Sequence, residues 1–518
     1  MRLELEDPAS RSVIDDDVKT LHSLGYCQEL LRRMGGFSNF AISLSIICIL
    51  AGGITSFAEG FSRVGGAAIG LGWPLGCLIA MCLALTMAQV ASAFPTAGGL
   101  YHWASILGGK SWGWATAWFN LAGLITVLAA INVGTYEFFI GAFQVPVDQH
   151  PDAFKILAVA GITFSQAMFN HRGIRLTTLL TDFSGYLILI VTVALTLAML
   201  SAVNGFEWSR LVTFSNYSGE VGGNVVPASS NVLWIFLLGL LLPAYTITGY
   251  DASAHTAEET VGASQNVPRG IVRSVLVSGI FGWVMLCAVV LAIPSMDAAA
   301  AQGKNAFAWT MQNSLSPMVS LVLCVGIAIA QYLCGLATVT SASRMVYAFA
   351  RDNGLPYSGT LRRVCPRSLT PSVAIWTVAV LAVSFTMYAK AYSVITAASV
   401  IFLYVSYAIP TGLGFFAYGR TWTKMGPWDM GHWYRFSALL SVVGCGLLFV
   451  VCVWPPNDLN LIIVGVVVVA LAIGWLALER HRFPGTPEGL MIQRRQAEIE
   501  AAEQMSGVLD RIKSDLGN

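Results

Sequence analysis

WIFLLGLLLPAYTITGYDASAHTAEETVGASQNVP, residues 234–268, begins as an apolar helix from Trp234 to about Ala244 and then loses that character. Thr246, Ile247, Thr248 and Gly249 interrupt it; Tyr250, Asp251, Ser253 and His255 follow, and then the acidic pair Glu258 and Glu259. A membrane-crossing segment normally satisfies every backbone N–H and C=O within its own helix. Pro243, two threonines and a glycine beside an acid argue against a continuous rod. Broken backbone at membrane depth is tolerated where it lines a cavity, and secondary transporters build substrate sites from such breaks. A helix that stops near Tyr245 leaves carbonyls free, a seat suited to an ammonium group. Asp251 lies six residues on, and an ionisable side chain inside a span is costly enough to be read as functional. Tyr245 and Tyr250 can offer ring faces to a cation, or can simply be core residues.

The rest of the chain fits a membrane setting. Of 518 residues, 56% are hydrophobic and 11% charged, and the mean hydropathy is +0.67, far from a soluble domain. Twelve stretches have the apolar length to cross a bilayer: 38–58, 66–93, 113–140, 154–170, 181–203, 231–256, 270–294, 317–345, 373–389, 393–418, 434–454 and 458–478. With the N-terminus inside, 24 of the 29 Lys and Arg fall on the cytoplasmic side. The positive-inside rule therefore predicts both termini in the cytoplasm. The expected layout is a cytoplasmic segment 1–37, spans one to five over 38–203, an external loop 204–230, spans six to ten over 231–418, spans eleven and twelve over 419–479, and a cytoplasmic tail 480–518. The tail has the pattern of a short amphipathic helix. The ten cysteines are scattered and mostly inside apolar stretches, so no disulfide framework, metal site or cofactor is expected.

The first stretch carries a second candidate break. Gly52-Gly53-Ile54-Thr55-Ser56 falls in its outer half. Adjacent glycines weaken a helix by about 1 kcal/mol each relative to Ala. A helix restarting near Ile54 would present free N–H groups and a positive dipole end to a carboxylate. The glycines can equally serve close helix contact, and spacing alone favours neither. One break for a carboxylate and one for an ammonium suit an amino acid.

These stretches carry a family resemblance. Gly52-Gly53-Ile54-Thr55-Ser56-Phe57, Phe94-Pro95-Thr96-Ala97-Gly98-Gly99-Leu100-Tyr101, Gly249-Tyr250-Asp251 with Glu258-Glu259 and Pro268, and Ser343-Arg344-Met345 through Ala350-Arg351-Asp352-Asn353-Gly354 occur in the order seen in amino acid–polyamine–organocation (APC) superfamily permeases. The chain most resembles the amino acid/choline transporter branch, which includes permeases for 4-aminobutyrate, choline and other amines. The resemblance implies an all-α polytopic membrane protein of 12 transmembrane helices, a five-plus-five inverted repeat with discontinuous helices 1 and 6, and two further helices. It implies a plasma-membrane permease that moves an amino acid or 4-aminobutyrate-like amine by alternating access, with the substrate at Gly52, Gly53, Ile54, Thr55, Ser56, Tyr245, Thr246, Thr248, Gly249, Tyr250 and Asp251. The family usually has Phe-Glu where this chain has Tyr250-Asp251.

Alternatives remain at this stage. A choline permease would favour aromatic linings, for which Tyr101, Phe119, Tyr136, Tyr245, Tyr250, Trp309, Tyr332 and Tyr404 are available; a polyamine permease would want more intramembrane acids than the chain has. A sensor on the same fold is another reading. An enzyme would need a nucleophile–base pair or metal cluster that is not visible, and no nucleic-acid partner is expected. The coupling ion is H+ or Na+. Ala337, Thr340 and Ser341 have the i, i+3, i+4 spacing of the Ala-x-x-Thr-Ser sodium sites in transporters of this fold, or are ordinary helix-contact residues. For a proton, Glu137 and Asp251 are the candidate groups, although Glu137 also suits the outer water interface. Asp182 reads as a helix cap at the inner edge of span five.

Overall fold

The computed structural model describes residues 8–142, 152–203, 205–388, 392–487, 492–493 and 499. Most of the predicted amphipathic tail, and the sharp connection at Lys390, lie outside them. Among the described residues ten helices are long and apolar enough to cross a membrane, from Gly36–Val64 to Leu459–Arg482. Two shorter apolar helices, Val232–Thr246 and Ser372–Met387, stand where the sixth and ninth stretches were expected.

The polarity of the bundle is inverted relative to a water-soluble protein. Asn39, Asn120, Gln331 and Asp251 are fully buried, whereas Leu157, Ile190 and Leu476 are 70%, 65% and 66% exposed on the outside. Such a surface is at rest only against hydrocarbon. The centre is formed by the first, third, sixth, eighth and tenth spans, and the last helix lies almost wholly on the periphery.

Both expected breaks are present. The first span is helical over Gly36–Ile47, loses the helix at Cys48–Ala51, and resumes over Gly52–Thr55 and Phe57–Val64. Cys48 takes a left-handed φ of 26°, a conformation rarely held by a residue with a side chain. Gly52 and Gly53 are thus the first residues of the restarted helix, and the chain unwinds one turn earlier than the sequence suggested. The sixth span is helical to Thr246, open from Ile247 to Asp251, and helical again over Ala252–His255.

Asp182 is corrected by the structure. The fifth helix begins at Ile174, two turns earlier than Asp182, so the carboxylate does not cap it. It accepts instead from Ser38 Oγ of the first span at 3.0 Å.

Candidate functional site

The two breaks touch. A Cβ on Gly52 would lie 2.8 Å from Thr246 Cα, so glycine allows the first span to meet the sixth backbone to backbone. Gly249 has φ +82°, and a Cβ there would lie 2.2 Å from Ile46 Cγ2. Gly53 points elsewhere, toward Leu286, Trp73 and Met285 at van der Waals distance. Of the predicted first-span residues, Gly52 therefore serves helix contact. Ile54 and Thr55 line a cavity, and Ser56 Oγ donates back to Gly52 O within its own helix.

Backbone groups released by the breaks are taken up by neighbouring spans, as burial requires. Gln331 Nε2 donates to Leu50 O at 3.1 Å, and Cys334 Sγ to Ile46 O at 3.3 Å. Tyr407 Oη accepts from Gly249 N at 3.1 Å, while Tyr404 Oη donates to Ala244 O at 3.3 Å. Ser43 Oγ donates to Tyr250 O at 2.9 Å, and Asn39 Nδ2 to Ser253 O at 2.9 Å. Thr246 and Thr248 return their hydroxyls to Leu242 O and Tyr245 O.

Asp251 is fully buried and fully engaged. Tyr407 Oη donates to its Oδ1 at 2.8 Å, Asn120 Nδ2 donates to its Oδ2 at 3.0 Å, and His255 Nε2 lies 3.2 Å from the same oxygen. The acid thus ties the third, sixth and tenth spans together. Asn120 Oδ1, Tyr250 Oη on the residue before Asp251, and Gln331 Oε1 on the side chain that reaches Leu50 O are buried without a hydrogen-bond partner. A buried polar atom left this way costs about 1–3 kcal/mol, and each calls for an explanation.

A cavity of about 320 Å³ descends from the face opposite the N-terminus to Ile54 and Thr55. Glu59, Gly134, Glu137 and Phe307 line it as well. Glu137 is half-exposed and pairs with Lys155 Nζ at 2.8 Å, which fits the water-interface reading. Some aromatic candidates lie away from the breaks. Tyr101 donates to Asp352 at the N-terminal face, and Tyr332 pairs with Ser165 at 2.8 Å between the eighth and fourth spans.

Ala337, Thr340 and Ser341 are all buried on the eighth span. Thr340 Oγ1 donates to Asn170 Oδ1 of the fourth span at 2.7 Å, Ala337 packs with Ile42 and Ile46, and Ser341 Oγ has no partner.

The N-terminal face is shut beneath the breaks. Arg351 donates to Glu258 through two bonds of 2.7 and 2.9 Å, and Arg344 to Glu259 through two of 2.9 and 3.0 Å. Glu258 also accepts from Ala97 N at 3.0 Å. The segment after helix Pro8–Ser23 lies across this lattice. Arg32 donates to Ala257 O and Thr260 O, Tyr26 donates to Asp352 at 2.7 Å, and Arg351 stands 4.1 Å over the Tyr26 ring. Asp17 accepts from Gly262 N and Ala263 N at the start of the seventh span.

Removing Arg351 tests this latch. Arg351→Met leaves Glu258 buried and unpaired, which costs the closed face about 3–5 kcal/mol. Thiol labelling of buried Cys48, read by mass spectrometry of its peptide, should rise at least about tenfold, and Glu258→Gln in the same chain should reverse most of the gain. Unchanged labelling would mean that the pair does not hold the face shut. The pH response has a definite sign. Burial raises the Glu258 carboxyl, but the Arg351 guanidinium outweighs it and leaves the group below its ordinary 4.5. Burial pushes His102 below its ordinary 6.5, against the pull of Asp352. Both depressed groups stabilise the closed face above their ordinary values and lose that contribution as pH falls through the depressed ones. Cys48 labelling, taken as a ratio to the same chain's labelling after denaturation at each pH, should therefore be flat above about pH 6.5 and rise below it, first through His102 and then through Glu258.

Comparison with known proteins agrees with this geometry. The family model described as amino acid permease matches residues 34–478. The chain is 31% identical to amino-acid permease BAT1 of Arabidopsis thaliana, over 91% of this chain and 96% of that protein. It is 31% identical to the BAT1 homolog of Oryza sativa subsp. japonica, over 90% and 94%. It is 29% identical to the GABA-specific permease of Saccharomyces cerevisiae, over 71% and 65%.

Proposed function

Because the chain belongs to the amino acid permease family and is a multi-pass membrane protein, we propose that it carries an amino acid or 4-aminobutyrate-like amine across the membrane by alternating access, with the solute held where the two broken helices meet. The observation that carries this reading is the meeting of the two breaks, where a Cβ on Gly52 would lie 2.8 Å from Thr246 Cα, together with two buried oxygens that have no hydrogen-bond partner, Asn120 Oδ1 and Gln331 Oε1, on amides that donate to Asp251 and to Leu50 O. A small zwitterion brings donors and acceptors of the kind they lack. Its ammonium would take Asn120 Oδ1, near the Asp251 charge, and its carboxylate the N–H groups of Gly53 and Ile54 at the start of the restarted first span, the Gly52 N–H already donating to Cys48 O at 3.0 Å.

The shape supports a transport cycle. The cavity reaches Ile54 and Thr55 from one face, while the N-terminal segment and two buried ion pairs block the other. The basic residues favour an orientation with that blocked face, and both termini, in the cytoplasm; on this reading the form is outward-facing and the membrane proposed for it is the plasma membrane. Twelve crossings and a five-plus-five inverted repeat, spans one to five and six to ten, complete the reading.

A screen of the purified protein in detergent against L-amino acids, 4-aminobutyrate, choline and polyamines tests the solute class, since a specific ligand raises apparent Tm by mass action. A shift of several degrees with an amino acid or 4-aminobutyrate is expected; a shift with choline or polyamines alone would move the substrate class to those amines. The sodium reading of Ala337, Thr340 and Ser341 has support from the free Ser341 hydroxyl and is weakened by the Thr340–Asn170 bond. If it is right, uptake needs sodium and Thr340→Ala with Ser341→Ala abolishes that dependence; equal uptake in sodium and N-methylglucamine buffers would remove the site.

A further inference from the structure

His255 sits one turn below Asp251 on the restarted sixth helix, fully buried, with both ring nitrogens facing oxygen atoms. Nδ1 is 3.2 Å from Ala97 O, and Nε2 is 3.2 Å from Asp251 Oδ2. A carbonyl oxygen only accepts, so Nδ1 must carry a hydrogen and donate to Ala97. In a neutral imidazole the other nitrogen is then a lone pair. It would face a carboxylate oxygen, which is also only an acceptor, and the two would repel. One additional proton removes the conflict, as imidazolium donating to carboxylate or as carboxylic acid donating to imidazole. Either way the pair holds one proton more than a neutral His255 beside an ionised Asp251.

From this we propose that Asp251 and His255 form a proton-binding dyad that carries one proton with each transported solute. The proposal rests on the transport reading given above and names its coupling ion. The dyad sits where it can sense both ends of the cycle. On the solute side, Asn120 donates to Asp251 Oδ2 and to Ser406 Oγ and keeps a free Oδ1, so an ammonium bound at Asn120 lies beside the dyad. On the N-terminal side the Ala97 peptide is the joint. Its carbonyl fixes His255, and its N–H donates to Glu258, the partner of Arg351. Opening the latch frees Ala97, and with it the acceptor that held Nδ1–H. His255 then meets water on that side and releases its proton there. The proton balance is simple: one taken from the cavity side with the closed latch, one released to the N-terminal side with the open latch, and no other bond changed.

Among the described residues, the side chains bonded to the pair carry no charge. Tyr407 from the tenth span donates to Asp251 Oδ1, and Asn120 and Ser406 are uncharged. Tyr250 precedes Asp251 and its ring lies 5.1 Å from that of Tyr407. The loop before helix Leu100–Gly108 links the pair to charged groups of other elements. Glu258 with Arg351 lies across the Ala97 peptide, and His102 bonds Thr96 Oγ1 at 2.6 Å and faces Asp352 at 3.2 Å. The latch histidine therefore has its own carboxylate and is a separate titrating unit.

The test uses the full-length protein in sealed liposomes with radiolabelled 4-aminobutyrate and an equimolar mixture of L-amino acids as probes. In wild type, an inward-directed proton gradient should drive accumulation at least about tenfold above equilibrium, and solute addition should acidify the lumen by a pH dye. His255→Gln keeps an amide able to bridge Ala97 and Asp251 but binds no proton. It should retain solute counterflow, which needs no net proton movement, and lose gradient-driven accumulation and dye response. His432→Gln, at an exposed histidine outside both the dyad and the latch, should keep both. Accumulation in His255→Gln equal to wild type overturns the proposal, as does a wild type that exchanges solute without moving protons; the latter leaves the transport reading standing. No exchange of any probe by wild type overturns both. Should His255→Gln not fold, the wild-type dye signal decides alone.

Discussion

Uptake by an Asp251→Asn protein is expected to fall at least about a hundredfold, with insertion and abundance in the membrane unchanged. Asn matches Asp in size, so the cavity persists. The loss comes from polarity: Tyr407 Oη and Asn120 Nδ2 both donate to Asp251, one to each oxygen, and His255 faces the second. An amide offers one accepting and one donating end: with its nitrogen at the Oδ2 position it meets the Asn120 N–H, and with its nitrogen at the Oδ1 position the Tyr407 hydroxyl loses its acceptor. A buried donor left unsatisfied costs about 1–3 kcal/mol, and more when the lost partner is charged. The same substitution removes the negative charge that a bound ammonium would sense and the acid half of the dyad. Solute uptake measured per molecule at the membrane surface is the readout. Wild-type rates would take Asp251 out of the solute site and out of the proton pathway together.

Gly249→Ala is the second large effect. The substitution adds one carbon and meets two penalties. A left-handed φ costs an L-residue about 1–2 kcal/mol. The new Cβ would lie 2.2 Å from Ile46 Cγ2, on a β-branched side chain with little freedom to turn, which adds about 1–3 kcal/mol. The break in the sixth span and the helix of the first would be forced apart at the place where both are anchored. Transport should be lost and the apparent Tm of the purified protein should fall by several degrees. Ile46→Ala in the same chain removes the clash but not the backbone strain, so part of the stability should return. Full activity in the single variant would show that the close approach is dispensable.

The elements of the fold were legible because length and apolarity suffice to recognise a membrane helix, and because the Pro243-to-Gly249 run argues against one continuous rod; Gly52-Gly53 marked the other break only approximately, since the helix opens at Cys48–Ala51 and both glycines are helical. What the sequence hid were the partners. Asn39, Ser43, Asn120, Gln331 and Tyr407 satisfy the opened backbone and Asp251, yet each sits in a largely apolar stretch with nothing local to mark its direction. Tyr404 and Tyr407 carried a faint signal, since a spacing of three puts both on one helix face. Asp251 read as an acid aimed at a solute; the structure surrounds it with three polar side chains from residues 120, 255 and 407. Thr340 and Ser341 matched an ion-site spacing, but spacing does not say that Thr340 turns toward Asn170. The latch was beyond reach for another reason: Glu258 and Arg351 are 93 residues apart, and single-chain patterns carry no pairing at that separation.

The stapling of the N-terminal face also constrains biosynthesis. Tyr26 finds Asp352 326 residues downstream, and Arg32 finds Ala257 225 residues on. The leading segment leaves the ribosome before any of those partners exists. It must wait, uncommitted and water-exposed, until the eighth helix has been inserted, so the newborn protein passes through a stage in which that side of the bundle stands unsealed.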